Sequence, residues 1–392
     1  MPAGASRHDV VEVLTGNAAS AALKDGRDDV PRSLLVRLGA LLALGAAVAF
    51  LAACSDGGTA ETANPFPERQ RVLIVHSYDE GFRWTAEQGR GIVEGLGEAG
   101  LREGRDYELR TFFMDTRITY TSPDAVSQQA SEARRLIEEF EPSVVFVTDD
   151  AALREVAVRW VEEHPGSNVA FVFSGVNVDP TAYKPIASLE RPGGRITGLL
   201  ERIPVAEASA AMQRVFPAAT RVALLADGSA SSAAAIADYT SKYPGGLQTP
   251  LRVTGFTQAR TFAEWQRLVA EAGRQADVIG VLNYHGIVDD SGQVVPPSTV
   301  LDWTLRNASK PVVGLLTDWV RDGMAMGVGN SGLRHGMAAG RIGAGILGGG
   351  DPGQVAIVDP KLVETAFNLE AVRRLGWSVP QGEIAAAGLV IR

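Results

Sequence analysis

The sequence predicts two Rossmann-like α/β lobes, each a parallel sheet with helices on both faces, joined by hinge crossovers. Three observations carry this. Short continuous apolar runs such as Val72-Leu73-Ile74-Val75 and Val222-Ala223-Leu224-Leu225 read as strands buried on both faces. Stretches with helical spacing alternate with them almost throughout. The alternation then restarts after about residue 195, giving two consecutive sets.

Taken in order, Arg71–Val75 is the first strand, and a helix runs from about Trp84 to Ala99. Tyr107–Met114 is the second strand. Ser122-Pro123 opens the next helix, with Ser as N-cap and Pro in the first turn. Val126, Ala130, Ala133, Ile137 and Phe140 keep its helical spacing, and Glu141-Pro142 ends it. Val144–Thr148, a helix over Ala151–Glu162 and Val169–Phe173 complete the first set. In the second, Arg195–Leu200 reads as a connecting strand and Val205–Phe216 as a helix. Arg221–Leu225 repeats the first buried strand, before an Ala/Ser-rich helix. Leu251–Phe256 leads to a helix opened by the capping box Thr261-Phe262-Ala263-Glu264. Val278–Asn283, a helix over Thr299–Asn307, a strand at Pro311–Leu316 and a small-residue helix at Leu333–Leu347 follow. The tail offers a strand near Val355–Val358 and a helix near Leu369–Leu375.

The 392 residues have room for about two domains, and the formal net charge of −9 provides no basic field for nucleic acid. Cys54 is the single cysteine, which excludes a disulfide framework and a Cys-based zinc site. Arg32 and Arg37 precede an apolar run from Leu38 to Phe50, and Leu51-Ala52-Ala53-Cys54 follows. A charged start, a short apolar run and small residues before the cut describe a secretory signal. A spanning helix needs about 20 apolar residues. Leu-Ala-Ala-Cys resembles the lipobox of bacterial lipoproteins, which implies lipidation at Cys54. The expected division is therefore a non-native or disordered extension 1–31 (translation starting near Val30), a signal 32–53, and a tether 54–69. A first lobe 70–194 with part of 320–392, and a second lobe 195–319, follow.

Ligands of open α/β sheets bind beyond the carboxyl ends of the strands. Candidate binding residues are thus Ser77, Tyr78, Asp115, Asp149, Asp150, Ser174, Gly175 and Asn177 in the first lobe. In the second they are Asp227, Tyr284, His285, Asp318 and Trp319; Trp84 joins them from the first helix. One of Asp149 and Asp150 suffices to cap the helix at Ala151, and Asp115, Asp227 and Asp318 can serve the same way. Several carboxylates facing one cleft would favour a cation or amine, and free N–H groups at helix starts a carboxylate; an amino acid meets both demands. Tyr78, Trp84, Tyr284 and Trp319 can stack on an organic ligand or pack in the core. His76 and His285 could meet across a closed cleft and, with Asp115 or Asp318, hold a metal. No HxxxH, HxH or HExxH spacing supports that, so hydrogen bonding is the reading. The strings Gly95–Gly100 and Gly343–Gly348 satisfy GxGxxG but fall late in helices, where glycine serves close packing or a C-cap. No GxSxG elbow or GxxxxGK[ST] loop is present.

Several stretches resemble the periplasmic substrate-binding components of ABC transporters with the type I two-lobe fold. Pro192-Gly193-Gly194-Arg195-Ile196-Thr197-Gly198 is similar to that family's crossover, with Arg195 where Asn is usual. Phe216-Pro217 before Arg221–Leu225, Gly340–Gly349 with Pro352, Asn368-Leu369, Leu375-Gly376 and Val379-Pro380 add to it. His76-Ser77-Tyr78, Met114-Asp115-Thr116, Thr148-Asp149-Asp150-Ala151 and Phe173-Ser174-Gly175-Val176-Asn177 resemble a branch shared with extracellular sensor domains. The resemblance implies capture of a small solute for a membrane permease but does not supply the ligand. The lipobox adds export and a lipid anchor, the strand-end carboxylates a small polar solute such as an amino acid or amine, and a monomer is expected. No cofactor, no metal and no catalysis are expected. A ligand sensor docking on a signalling receptor, and an enzyme acting in the same cleft, are the alternatives.

Overall fold

The continuous apolar runs become two separate sheets. The computed structural model describes residue 66, residues 68–247 and residues 251–392. The extension 1–31, the signal 32–53, Cys54 and nearly all of the tether lie outside the described residues.

The first sheet contains β1 (Gln70–His76), β2 (Tyr107–Phe113), β3 (Val144–Thr148), β4 (Ala170–Val176) and β5 (Ile196–Leu200), in the order β2-β1-β3-β4-β5. All its pairings are parallel. Every residue of β3, β4 and β5 is buried, as strands covered by helices on both faces must be. One face carries α1 (Arg83–Glu98), whose Ile92 and Leu96 pack on Val72, Ile74 and Phe146. The other carries α2 (Pro123–Phe140) and a helix, α3, that runs through Asp149–Ala152, the π-helical turn Leu153–Val158 and Arg159–Glu163. Ser122 caps α2 as expected, its side chain accepting from the Ala125 N–H with Pro123 in the first turn.

The second sheet has seven strands: β6 (Arg221–Asp227), β7 (Arg252–Ala259), β8 (Val278–Val281), β9 (Val312–Gly314), β10 (Met326–Asn330), β11 (Val363–Asn368) and β12 (Leu389–Ile391). Their order is β12-β11-β10-β9-β8-β6-β7, and only β10 and β11 pair antiparallel. Helices α4 (Val205–Val215) and α5 (Ala230–Lys242) cover one face. Helices α6 (Phe262–Gln275) and α7 (Pro297–Asn307) cover the other. The Thr261–Glu264 capping box forms, each residue bonding the other's backbone N–H.

Three expectations are corrected. Residues 196–200 are not a connector but the fifth strand of the first sheet, paired with β4, because all five side chains are apolar or small enough to be buried. Residues 355–358 form no strand: Pro352–Gln354 is a 3-10 turn, and Val358 makes only a single bridge to Leu199. The tail's strand is β11, whose mixed sequence Val-Glu-Thr-Ala-Phe-Asn hides its pairing. Residues 326–330, beyond the expected end of the second lobe at 319, form β10 inside the second sheet. The glycines that make this strand read as loop are there for close approach. A Cβ at Gly327 would stand 2.7 Å from the Leu316 carbonyl oxygen, and one at Gly329 3.1 Å from that of Leu315.

Beyond β10 the chain returns to the first sheet as α8 (Gly332–Leu347), which packs against α1, and comes back to β11 after residue 358. The three crossing segments lie side by side: Leu200 N–H donates to Val358 (2.8 Å), Ser331 N–H to Leu362 (2.9 Å), and Asn330 Nδ2 to the Arg202 carbonyl (2.9 Å). Both GxGxxG strings fall at the ends of α1 and α8. Gly95 and Gly343 face a backbone carbonyl and the Phe146 ring at contact distance, and Gly100 has a φ of +87° just past its helix. These are packing and capping roles, as the helical placement predicted.

Candidate functional site

The carboxyl ends of β1, β3, β4 and β5 bring Tyr78, Asp149, Asp150, Asn177 and Glu201 together. Each follows a strand whose apolar side chains anchor it in the sheet, so the first polar residue beyond emerges at the edge. Asp149 is 2% exposed and adopts a left-handed backbone, φ +65°, a conformation that Asp tolerates better than most residues. Its Oδ1 accepts from Trp84 Nε1 at 2.8 Å and its Oδ2 from Gln88 Nε2 at 3.4 Å. Gly175, φ +75°, closes over it: a Cβ there would lie 2.8 Å from Asp149 Oδ1. Asp150 fixes the loop after β4 instead, its Oδ1 accepting from the Asn177 and Val178 N–H groups at 3.0 Å each. Ser77 is consumed locally, donating to the Thr148 carbonyl (2.6 Å) and accepting from the Ala152 N–H (2.8 Å) at the start of α3.

Electrostatics single out this end of the sheet. Burial holds the Asp149 carboxyl well above the usual carboxylate range, and the neighbouring charges of Glu201 and Asp150 add to it. Burial also raises Asp150, against the backbone donors of Val178 and Asn177. It pushes Tyr78 upward together with the charges of Asp149, Asp150 and Glu201. Glu201 is raised to about 7, by burial first, although Asn330 and Asn177 donate to it. Those bonds are 3.4 Å from Asn330 Nδ2 and 3.2 Å from Asn177 Nδ2. Asn330 ends β10 of the second sheet, so Glu201 stands where the two lobes join.

A charge effect follows. The Glu201 carboxyl titrates near 7 when folded and near 4.5 when free, so the folded state holds a proton that the unfolded chain has lost between those values. Stability therefore falls as pH rises through this window, by up to about 3 kcal/mol. Glu201→Gln is expected to raise the melting temperature at pH 8 and leave it unchanged at pH 4.5. Thermal melts at both values check this, and equal gains at the two would show that charge is not the cause.

The second lobe's candidates behave differently. Asp227, 1% exposed, accepts from the Ser229 N–H, Ser229 Oγ, Ser232 Oγ and the Gly286 N–H. Burial would raise its carboxyl, but these bonds outweigh it and hold it below the usual range. Tyr284 and Trp319 are core residues: the Tyr284 hydroxyl donates to Asp322 (2.5 Å), and Trp319 Nε1 donates to the Leu282 carbonyl (2.7 Å). His285 lies outside them, its ring 4.5 Å from that of Tyr284 and 4.8 Å from that of Trp319. His76 is buried in the first lobe, bonded to Thr148 Oγ1 and stacked on Phe113, with burial lowering it to about 3. Each histidine is thus held within its own lobe, and among the described residues no group of three or more His, Cys, Asp or Glu is placed to hold a metal. Asp115, φ +47°, organises the turn after β2, accepting from the Thr119 N–H. Asp318 alone reaches across, pairing with Arg83 at 2.7 Å; Arg83 also pairs with Glu87 at 2.6 Å.

Glu201, Arg83, Gln88 and Asn330 were not legible as site residues. Glu201 would have been, had 196–200 been read as a sheet strand, because it then occupies the same strand-end position as the others. Two surface cavities of ≈ 290 and ≈ 300 Å³ lie elsewhere, one beside Arg202 and Lys361 and one between α1 and the β2 edge. The cations of the first are all paired, Arg202 and Lys242 with Asp238 and Lys361 with Glu207.

The fold recurs in solved structures. A conserved domain protein from Vibrio cholerae is 20% identical with a TM-score of 0.55, the match covering 82% of this chain and 100% of that one. The ABC domain from Streptococcus pneumonia in complex with L-Trp is 16% identical with a TM-score of 0.55, covering 83% and 100%. A ligand-free, open substrate-binding protein with adhesive properties from Clostridium difficile is 15% identical with a TM-score of 0.59, covering 82% and 99%. Compared with curated protein sequences, the chain has no match. The family model described as ABC transporter substrate binding protein matches residues 86–390. With two parallel-sheet lobes joined by three adjacent crossings, and a match running through both, this chain belongs to the ABC transporter substrate-binding protein family.

Proposed function

We propose that this chain captures a small polar molecule, an amino acid or amine, in the cleft between its lobes and delivers it to the membrane permease of an ABC transporter. In this reading the mature protein is a monomer, anchored through lipid on Cys54 at the extracytoplasmic face of the membrane. It uses no cofactor and catalyses no reaction. The observation that carries it is the convergence of Tyr78, Asp149, Asn177 and Glu201 at the strand ends of one lobe, with Asn330 of the other bonded to Glu201. Trp84, bonded through Nε1 to Asp149 and partly exposed, offers a ring face for an organic ligand. Asp227, Tyr284 and Trp319 serve as the second lobe's scaffold rather than as direct contacts.

The test is a thermal-shift panel on protein unfolded and refolded to strip carried-over ligand. It contains amino acids, amines, nucleobases, sugars, carboxylates and divalent metals. A ligand at 100 times its Kd stabilises by about 2.7 kcal/mol and shifts the melt visibly. L-Trp belongs in the panel because the Streptococcus pneumonia structure is a complex with it. One chemical class shifting the melt supports capture. A silent panel, with no carried-over solute in native mass spectra before stripping, rejects it.

A further inference from the structure

We propose that Glu201 is the receptor for a positively charged ammonium group of the captured solute. This rests on the capture reading and names its solute class: compounds with a free protonated amino group, rather than sugars or plain carboxylates.

The first observation is a shortage of cations. Asp149, Asp150 and Glu201 end adjacent strands, yet among the described residues no Lys, Arg or His forms an ion pair with any of them. The arginines around them are engaged elsewhere. Arg202 donates to the backbone carbonyls of Val176, Asn177 and Glu201, and its Nε pairs with Asp238 at 3.0 Å. Arg154 pairs with Glu155 and Arg117 with Asp79. Buried carboxylates in such a setting take up either protons or a cation from outside.

A second, independent observation is a surplus of acceptors on the same wall. Gln88 is wholly buried, and its Oε1 has no hydrogen-bond partner; it lies 3.2 Å from the Cβ position of Gly175, where Asp149 Oδ1 also converges. Ser174 Oγ, one residue earlier, is likewise buried and without a partner. A group with three donors and a positive charge fits this wall of carboxyl, amide and hydroxyl oxygens.

Among the three acids Glu201 is the one left to receive it. Asp149 lies beneath Trp84 and Gln88, and Asp150 Oδ1 is taken by two backbone N–H groups. Glu201 has two long bonds from neutral amides, and a carboxylate accepts about four. It is half-buried, as is Tyr78, so solvent reaches both. The groups that set its proton affinity are Asp150 on β3's end, Asn177 on β4's, Asn330 on β10's and the adjacent Arg202. With the carboxyl near 7 in the empty protein, an incoming ammonium displaces a proton.

The experiment is titration calorimetry from pH 6 to 8.5 with matched probes. These are alanine, phenylalanine and lysine, the amine each gives on decarboxylation, and the acid each gives on loss of its α-amino group, with glucose alongside. At least one amino acid or its amine is expected to bind, and the acid made from phenylalanine or alanine is not. Affinity should rise about tenfold per pH unit from 6 toward 7 and flatten above. Glu201→Gln should weaken binding at least tenfold at pH 8 and remove the slope, while Glu201→Asp keeps the slope. Wild-type affinity and slope in Glu201→Gln overturn the proposal. So does binding of glucose or an amine-free acid in place of every amine, an outcome that leaves capture standing. If no solute of the wider panel binds at any pH, capture and the ammonium receptor fall together.

Discussion

Gly336→Ala is expected to destabilise the protein by about 3 kcal/mol or more, whereas Gly97→Ala and Gly345→Ala leave it unchanged or stabilise it. Helices α1 and α8 meet along a seam of paired glycines. A Cβ at Gly91 would lie 2.2 Å from the Leu333 carbonyl oxygen, and one at Gly95 2.2 Å from that of Met337. From the other side, Gly336 would meet the Gln88 oxygen at 2.2 Å and Gly340 that of Ile92 at 2.3 Å. These neighbours are backbone atoms, which cannot rotate away as a side chain would. The helix propensity gained by alanine, about 1 kcal/mol, is too small to offset separating two helices. Gly97 and Gly345 sit on the same helices with nothing within 4 Å, so there the propensity gain stands alone. Chemical denaturation of the three variants measures the contrast. Wild-type stability in Gly336→Ala would mean that the helices do not touch along this seam. The site shares in the loss, because the first turns of α1 carry Arg83, Trp84 and Gln88.

Asp227→Ala is expected to cost about 3 kcal/mol and to leave solute affinity unchanged in the protein that remains folded. Four donors converge on this carboxylate, and truncation leaves the Gly286 N–H and the Ser232 hydroxyl buried without their acceptor. Its folded carboxyl titrates below the free value of 3.8, so its contribution is fully present above that pH and is lost as pH falls through the lowered value. The variant should therefore lie below wild type at pH 7 and draw level with it in strong acid. Melts across that range, with calorimetry at pH 7, separate scaffold from ligand contact. A large drop in affinity at unchanged stability would return Asp227 to the binding site.

Much of this architecture was legible because burial is a local signal. A strand covered on both faces must be a continuous apolar run, and Val72–Val75, Val144–Val147 and Val222–Leu225 are such runs. Where the fold departs from that rule, the reading failed. β10 carries glycines so that the 315–317 segment can cross closely over it, and β11 mixes polar with apolar residues. Reading 195–200 as a strand that only connects the lobes left it out of the first sheet, and so hid Glu201 at its end.

The sequence by itself determined the alternation of strands and helices, their division into two sets, and the strand ends as the place to look for a site. It also excluded the glycine strings as phosphate loops, since both fall inside helices. Only the tertiary structure decided which strand-end residues are still free to meet a ligand. Asp227, Tyr284 and Trp319 look as available in sequence as Asp149 does, but their polar atoms are satisfied by their own lobe. Arg83 finds Asp318 across 235 residues, and Glu201 finds Asn330 across 129. Hydrogen-bond partners at such separations are set by how the chain closes on itself, and no local spacing records them.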